Sequence, residues 1–427
     1  MERYFNLFYS CNQRISIDSR TVEPGSLFIA IVGATFNGNQ FIQSALDQGA
    51  SYCITSEETL SDGERIFYVP DTLLFLQKLA NFHRSRFAIP VIGITGSNGK
   101  TTTKELIVAV LSTKFKVLFT EGNLNNHIGV PLTLLRLKPH HEIAVIEMGA
   151  NKPGDIEELC DIADPNFGVI TNIGLAHLEG FGSFEGVKQT KLAMYRAMVR
   201  NQGKIFINED DEVLMASIPS RIETIAYSLH KPSPVNGRTL ASTPFLHFSF
   251  RLNGEKEHEV RSQLIGSYNV YNFLCAICIG NFFGVTEEEM VGGLEAYTPT
   301  NNRSQWKSTA KNTLIVDCYN ANLTSMKAAL FSLESMNAGK ALAILGDMLE
   351  LGDASFNAHN EIIQLCERLK IPLVCVGKEF YSISSSVEKF QNTDALIQSG
   401  RLEGIEGTTI LLKGSRGIGL EKVIPFL

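Results

Sequence analysis

The chain has 427 residues, 44% hydrophobic and 19% charged, with a formal net charge of -7. At roughly 150 residues per domain this length points to about three globular domains with real cores, and the acidic balance excludes a large nucleic-acid surface. The opening MERYFNLFYSCNQR is charged and polar too early for a signal peptide. No apolar run approaches the ~20 residues that span a bilayer. A cytoplasmic protein with free thiols is therefore expected.

Residues 1–85 read as short strands and turns followed by an apolar helix, TLLFLQKLANFHR, that ends near Arg84. From Ile89 onward, apolar runs alternate with helical patterns. VIGIT, EIAVIEMGA and FGVITNIG have the composition of strands covered on both faces, which predicts a mostly parallel sheet. The stretch KPSPVNGRTLASTP, Lys231 to Pro244, is turn-rich and is expected to link or decorate that sheet. Cys275 and Cys278 form a C-x-x-C pair inside FLCAICIGNFF. With no second pair and no nearby histidine, they are read as one buried helix face rather than a metal or redox site. A break falls at Ala296 to Asn302, after which β/α alternation restarts in TLIVDCYN, ALAILGDM, IPLVCVG and TTILLKGS. The prediction is an α/β protein of three domains: residues 1–85, residues 86–296 around a phosphate loop and a mostly parallel sheet, and a Rossmann-like unit over 297–427.

The most informative segment is VIGITGSNGKTTTKELIVAVL: a strand, a glycine turn and a helix. Gly96, Ser97, Asn98 and Gly99 let backbone N–H groups converge on a phosphate at a helix N-terminus. Lys100 reaches the β- and γ-phosphates, Thr101 offers a hydroxyl to Mg²⁺, and Thr102 continues the first helical turn. The spacing is a variant of the usual phosphate loop, because Ile94 stands where its first glycine would be. ATP and Mg²⁺ are the expected cofactors. Glu147 closes the strand EIAVIEMGA, and His177 lies just beyond FGVITNIG. In an open α/β sheet, ligands sit at the carboxyl ends of strands, so both are candidate metal ligands, against the plainer reading of hydrogen-bonded loop residues. Lys191, in VKQTKLAMY, is by itself a lysine on a helix.

Taken together, GITGSNGKTT, TEGNLNNHIGVPLTLL, IEMGA, NIGLAHLEGFGS and GSYNVYN resemble, in order and over nearly the whole chain, the Mur ligases of peptidoglycan assembly. Folylpolyglutamate synthetases share the phosphate loop. DSRTVEPGSLFIAIVG, the Glu147-containing E-M-G-A, DCYNANLTSM, and LGDMLELG with LLKGSRG are similar to the branch that joins D-alanyl-D-alanine to UDP-N-acetylmuramoyl-tripeptide. The D-N-P-R motif of the diaminopimelate-adding branch is absent. Leu323, Tyr268 and Asn37-Gly38-Asn39 depart from the residues usual at those places.

The resemblance implies an ATP-dependent ligase that acts through an acyl phosphate and whose domains close on its substrates. It aligns Lys191 with a lysine carbamylated by CO₂ that, with His177, serves a second Mg²⁺. It places Asn269 and Asn272 at the adenine, Arg303 at the nucleotide phosphates and Asp317 at the ribose. It places Asn123, Asn126, Tyr319, Asn320, Asn322, Lys413, Ser415 and Arg416 around the substrates, the last three at the dipeptide carboxylate. Ser19 and Arg20 fall at the UDP end. Packing, capping or surface-charge roles are the alternatives for these residues. A monomer is expected. The competing readings are another ligase of the family adding a different amino acid, a P-loop kinase or NTPase, and a non-catalytic nucleotide-binding regulator.

Overall fold

Three blocks of alternating short strands and helices fold into three α/β layers. The computed structural model describes residues 1–33, 35–175, 178–300, 302–336 and 339–427; among these the strands form three sheets. The first is four-stranded and parallel, from β1 (Ile15–Ser16), β2 (Leu27–Ile29), β3 (Tyr52–Thr55) and β4 (Ile66–Tyr68) in sequential order. It is followed by the helix Thr72–Arg84, started by Asp71, whose carboxylate accepts from Leu74 N.

The middle sheet has nine strands: β5 (Val91–Thr95), β6 (Val117–Phe119), β7 (Ile143–Glu147), β8 (Phe167–Ile170), β9 (Lys204–Asn208), β10 (Glu223–Ser228), β11 (Val235–Ala241), β12 (His247–Leu252) and β13 (Glu257–Arg261). Their order is β13-β12-β11-β10-β9-β8-β5-β7-β6. The pairs from β6 to β11 are parallel, and β12 and β13 close the far edge antiparallel. β5, β7 and β8 are buried nearly end to end, as runs covered on both faces must be. The segment expected only to link or decorate the sheet contains β11, a correction to that reading. Its Gly237 explains the misleading sequence, since a Cβ there would come within 2.7 Å of Leu274 on the covering helix. Cys275 and Cys278 are buried on that helix, Val270–Phe282, as expected.

The third sheet runs β14-β15-β19-β16-β17-β18, from β14 (Gln305–Ser308), β15 (Thr313–Asp317), β16 (Ala341–Gly346), β17 (Leu373–Val376), β18 (Glu388–Phe390) and β19 (Thr409–Lys413), parallel except for β14. The first and middle domains share one core, in which Phe8, Leu76 and Leu79 pack with Leu134, Leu159 and Met194. The third sheet has separate cores on its two faces, and the middle domain contributes Ile265 and Phe245 to one of them.

Candidate active site

β5 ends at Thr95 and the helix Lys100–Leu111 begins five residues later. The turn between them requires two of its glycines. Gly96 has φ +146° and would drive a Cβ to 1.9 Å from Thr171 Oγ1, and Gly99 has φ +79° with Asn272 Oδ1 2.9 Å from an ideal Cβ. Gly99 is the N-cap and brings no side chain to the first helical turn, so its N–H groups remain available to an anion. The rest of the loop is pinned to the end of β8. Ser97 Oγ donates to Gly174 O (3.0 Å), Asn98 N donates to Asn172 Oδ1 (3.1 Å), and Asn98 O accepts from Thr171 Oγ1 (2.6 Å) and Asn172 Nδ2 (3.0 Å). Lys100 folds back on the loop, with Nζ 2.7 Å from Gly96 O and 3.2 Å from Ser97 O. Burial lowers its pKa to about 8, the Glu147 charge opposing and Arg303 assisting.

Glu147 is 1% exposed and closes β7, adjacent to β5. Its Oε1 accepts from Thr101 Oγ1 (3.1 Å) and Asn125 Nδ2 (2.8 Å), and its N–H donates to Thr120 Oγ1 (3.0 Å). Among the described residues its Oε2 has no hydrogen-bond partner although it is buried. A buried carboxylate oxygen without a donor, facing a hydroxyl, fits a hard divalent cation. Lys191 is 2% exposed, and its pKa is lowered well below the ordinary lysine value, first by burial and then by the Lys100 charge. Both effects favour the neutral amine, the form that reacts with CO₂. His177 lies outside the described residues.

The phosphate loop, Thr101 and Glu147 open into a cavity of 770 Å³ walled by the middle and third domains, within the range that accommodates a nucleotide; Lys191 is not among the described residues that line it. Ser97, Thr102, Asn123, Asn126, Asn269, Asn272, Arg303, Asp317, Tyr319, Asn320, Asn322 and Lys413 all line it. Several of these side chains are already engaged. Asn269 Nδ2 donates to Ile265 O (2.7 Å), Asn272 Nδ2 donates to Asn269 Oδ1 (2.8 Å), and Asn272 Oδ1 accepts from Thr103 Oγ1 (3.0 Å), which fixes the helix under the loop. Asn126 Oδ1 accepts from Ile128 N (3.1 Å) and Gly129 N (2.9 Å), just ahead of the helix Gly129–Leu134. Asp317 and Lys413, expected at different substrates, form an ion pair of 2.5 Å, and Lys413 Nζ also donates to Asn320 O at 3.2 Å. The Arg303 guanidinium lies 3.5 Å from the Tyr319 ring centroid. Asn322 Nδ2 donates to Asn98 Oδ1 (2.7 Å), a direct bond from the third domain to the phosphate loop.

Four expected substrate residues stand elsewhere. Ser415 is 4% exposed, and its hydroxyl accepts from Leu349 N (3.0 Å). Arg416 is exposed, 5.6 Å from the Tyr319 ring. Arg20, in the first domain, is forked on Asp18 through contacts of 2.9 and 2.6 Å and holds that carboxyl down at about 2, while Ser19 O accepts from Gln48 Nε2 (2.6 Å). The sequence reading did not single out Asn125, Asn172, Thr120 or Lys104. Lys104 is 1% exposed, and its Nζ donates to Thr120 O (2.8 Å), bracing the segment that holds the Glu147 backbone. The run T-T-T-K-E carried the signal, since a lysine four residues after Lys100 lies on the same side of the helix.

Comparison with known proteins agrees with this geometry. Residues 13–84 match the Mur ligase family catalytic domain, residues 94–280 the Mur ligase middle domain and residues 302–416 the Mur ligase glutamate ligase domain. A Bacillus subtilis (strain 168) protein named UDP-N-acetylmuramoyl-tripeptide--D-alanyl-D-alanine ligase is 35% identical, covering 97% of this chain and 92% of its own. The crystal structure of MurF from Acinetobacter baumannii superposes with a TM-score of 0.86 at 31% identity, over 96% of this chain and 92% of that one. The MurF ligase from Thermotoga maritima in complex with ADP gives 0.87 at 28%, covering 97% of both. The chain belongs to the Mur ligase family.

Proposed function

We propose that this protein is the ATP-dependent ligase that joins D-alanyl-D-alanine to UDP-N-acetylmuramoyl-tripeptide in peptidoglycan precursor synthesis. One observation carries the reading: an uncapped helix N-terminus, Lys100 and the half-satisfied carboxylate of Glu147 meet in a cavity shared by two domains. The full-length likeness to ligases of that name supports it.

A carboxylate does not lose oxide to an amine in water. Transfer of the γ-phosphoryl group of ATP to the peptide carboxylate makes an acyl phosphate. The free amine of the dipeptide attacks its carbonyl carbon, the C–N bond forms, and phosphate leaves as the tetrahedral intermediate collapses. The protein supplies alignment and charge stabilisation. Lys100 and the first-turn N–H groups hold the phosphates. Thr101 and Glu147 would hold Mg²⁺, and His177 and carbamylated Lys191 a second; the cation, when bound, supplies charge stabilisation at the phosphoryl oxygens. Carbamylation of Lys191 forms an N–C bond to CO₂ with release of one proton, and the burial that lowers its pKa favours the amine form this needs.

Arg303, which shares the cavity with the phosphate loop, is assigned to the nucleotide. Asp317, Asn269 and Asn272 take its ribose and base. Tyr319, Asn320, Asn322 and Lys413 form the dipeptide side with Ser415 and Arg416 behind them, and Asn123 and Asn126 the muramoyl-peptide side. Ser19 and Arg20 take the UDP end. ATP and the UDP-linked substrate are cytoplasmic metabolites, so the enzyme works there, as a monomer.

The test is mass spectrometry of the product from ATP, UDP-N-acetylmuramoyl-tripeptide and D-alanyl-D-alanine. The expected result is a new amide with ADP and phosphate. A phosphorylated product without an amide would assign a kinase, and an amide formed only with single amino acids would assign another branch.

A further inference from the structure

β16 runs directly into Asp347-Met348-Leu349-Glu350-Leu351-Gly352, a motif that the nucleotide and peptide assignments leave unused. Its first three residues are each pinned. Asp347 O accepts from Ser415 N (3.0 Å), Met348 N donates to His359 Nε2 (2.9 Å), and Leu349 N donates to Ser415 Oγ (3.0 Å). The Asp347 carboxylate accepts from Glu379 N (2.9 Å) and Phe380 N (3.0 Å). Gly377 permits this approach, since a Cβ there would stand 2.2 Å from the carboxylate. His359 is 0% exposed and Asp347 2% exposed. His359 Nδ1 donates to Ser355 O (2.7 Å), so Nε2 carries no proton and accepts from Met348. Burial lowers the pKa of His359, in keeping with this neutral tautomer.

The other end of the motif leaves the third domain. Glu350 O accepts from Glu179 N (3.3 Å), and an ideal Cβ at Gly352 would lie 3.8 Å from both Cα and Cβ of Glu179. Glu179 belongs to the helix Leu178–Phe181. In sequence that helix follows shortly after Thr171, Asn172 and Gly174, which hold the phosphate loop.

We propose that residues 347–352 are the strut through which the third domain docks on the segment flanking the phosphate loop, and that His359 is the positioning residue that fixes it, with Ser415 as a second brace. The inference rests on the reading that the third domain closes over bound substrates. Its test needs no turnover, so failure of the proposed reaction would be seen separately. Because all eight native cysteines are buried, the double variant Glu179→Cys/Gly352→Cys presents an accessible pair. The 3.8 Å separation of the Cβ positions is the spacing a disulfide needs, and because Gly352 has φ +54°, where a side chain is strained, the pair variant's own thermal unfolding is measured first.

On mild oxidation this pair is expected to cross-link, and more completely with a non-hydrolysable ATP analogue present. Adding His359→Leu should slow cross-linking about tenfold, the loss of one buried hydrogen bond. His359→Gln, whose amide oxygen can accept from Met348 N, should stay within about threefold of the parent pair. Thermal unfolding of each variant below its transition shows that the rates belong to folded protein. No cross-link in any ligand state, a folded His359→Leu variant that cross-links at the parent rate, or a His359→Gln variant no faster than His359→Leu overturns the proposal. If His359→Leu does not fold, Ser415→Ala decides: slowed cross-linking supports the strut and the parent rate overturns it.

Discussion

Glu147 is held from three segments, by Thr101, Asn125 and Thr120, while one of its oxygens is left without a donor. Glu147→Gln keeps the shape and removes the charge, and turnover should fall by about 10²-fold or more while the fold survives; steady-state kinetics with circular dichroism as the folding control checks this. Lys100→Ala should abolish nucleotide turnover, read as ADP release. The depressed pKa of Lys100, about 8, gives the pH sign. Its charge is present below that value and lost above it, so the affinity of free enzyme for ATP should weaken as pH rises through about 8. Titration calorimetry across that range should show this limb in the parent and not in Lys100→Ala. Lys191→Ala should be inactive and partly rescued by small carboxylates if an oxygen donor is what the buried lysine supplies; full activity without them would exclude the carbamate.

Helix ends and strand ends carry most of this chemistry. The uncapped N-terminus at Gly99 is one case; the junction of Arg84 is another. This 5%-exposed arginine, at the end of Thr72–Arg84, donates to Ala163 O (3.3 Å), Asp164 O (3.2 Å), Phe87 O (2.7 Å) and Asn166 Oδ1 (3.3 Å). It thereby caps the carboxyl end of the helix Asp155–Ala163 in the next domain. Arg84→Ala would leave those acceptors buried, and a loss of roughly 3 kcal/mol is expected, measured as a shift of the denaturant midpoint for the first two domains. The TLLFLQKLANFHR helix was legible to its last residue because an apolar stripe and an Asp cap agree with its length. The strand Val235–Ala241 was not legible, because its glycine and polar residues are set by the neighbouring helix and by β12.

The whole molecule is built as a shared core plus a separately cored third domain. The third domain meets the phosphate site through Asn322 to Asn98, Glu350 to Glu179, and Tyr268 to Ser304 at 3.1 Å. Rotation about the linker that follows the helix Glu287–Ala296 would exchange these polar contacts and the packing of Phe245 and Ile265 against the third domain. Saturating ATP analogue with the UDP-linked substrate should change the small-angle scattering curve, the third domain moving against a rigid pair; superposable curves with and without ligands would count against closure.

The sequence by itself determined the phosphate loop, the parallel middle sheet and the place of Glu147 at the end of its strand, because glycine turns, buried apolar runs and strand ends are local patterns that leave few alternatives. The tertiary structure decided which of Asn123, Asn125 and Asn126 faces Glu147, that Lys413 pairs with Asp317, and that Ser415 braces Leu349. Those outcomes depend on which side chains meet across segments 22 to 96 residues apart, and no local spacing encodes that.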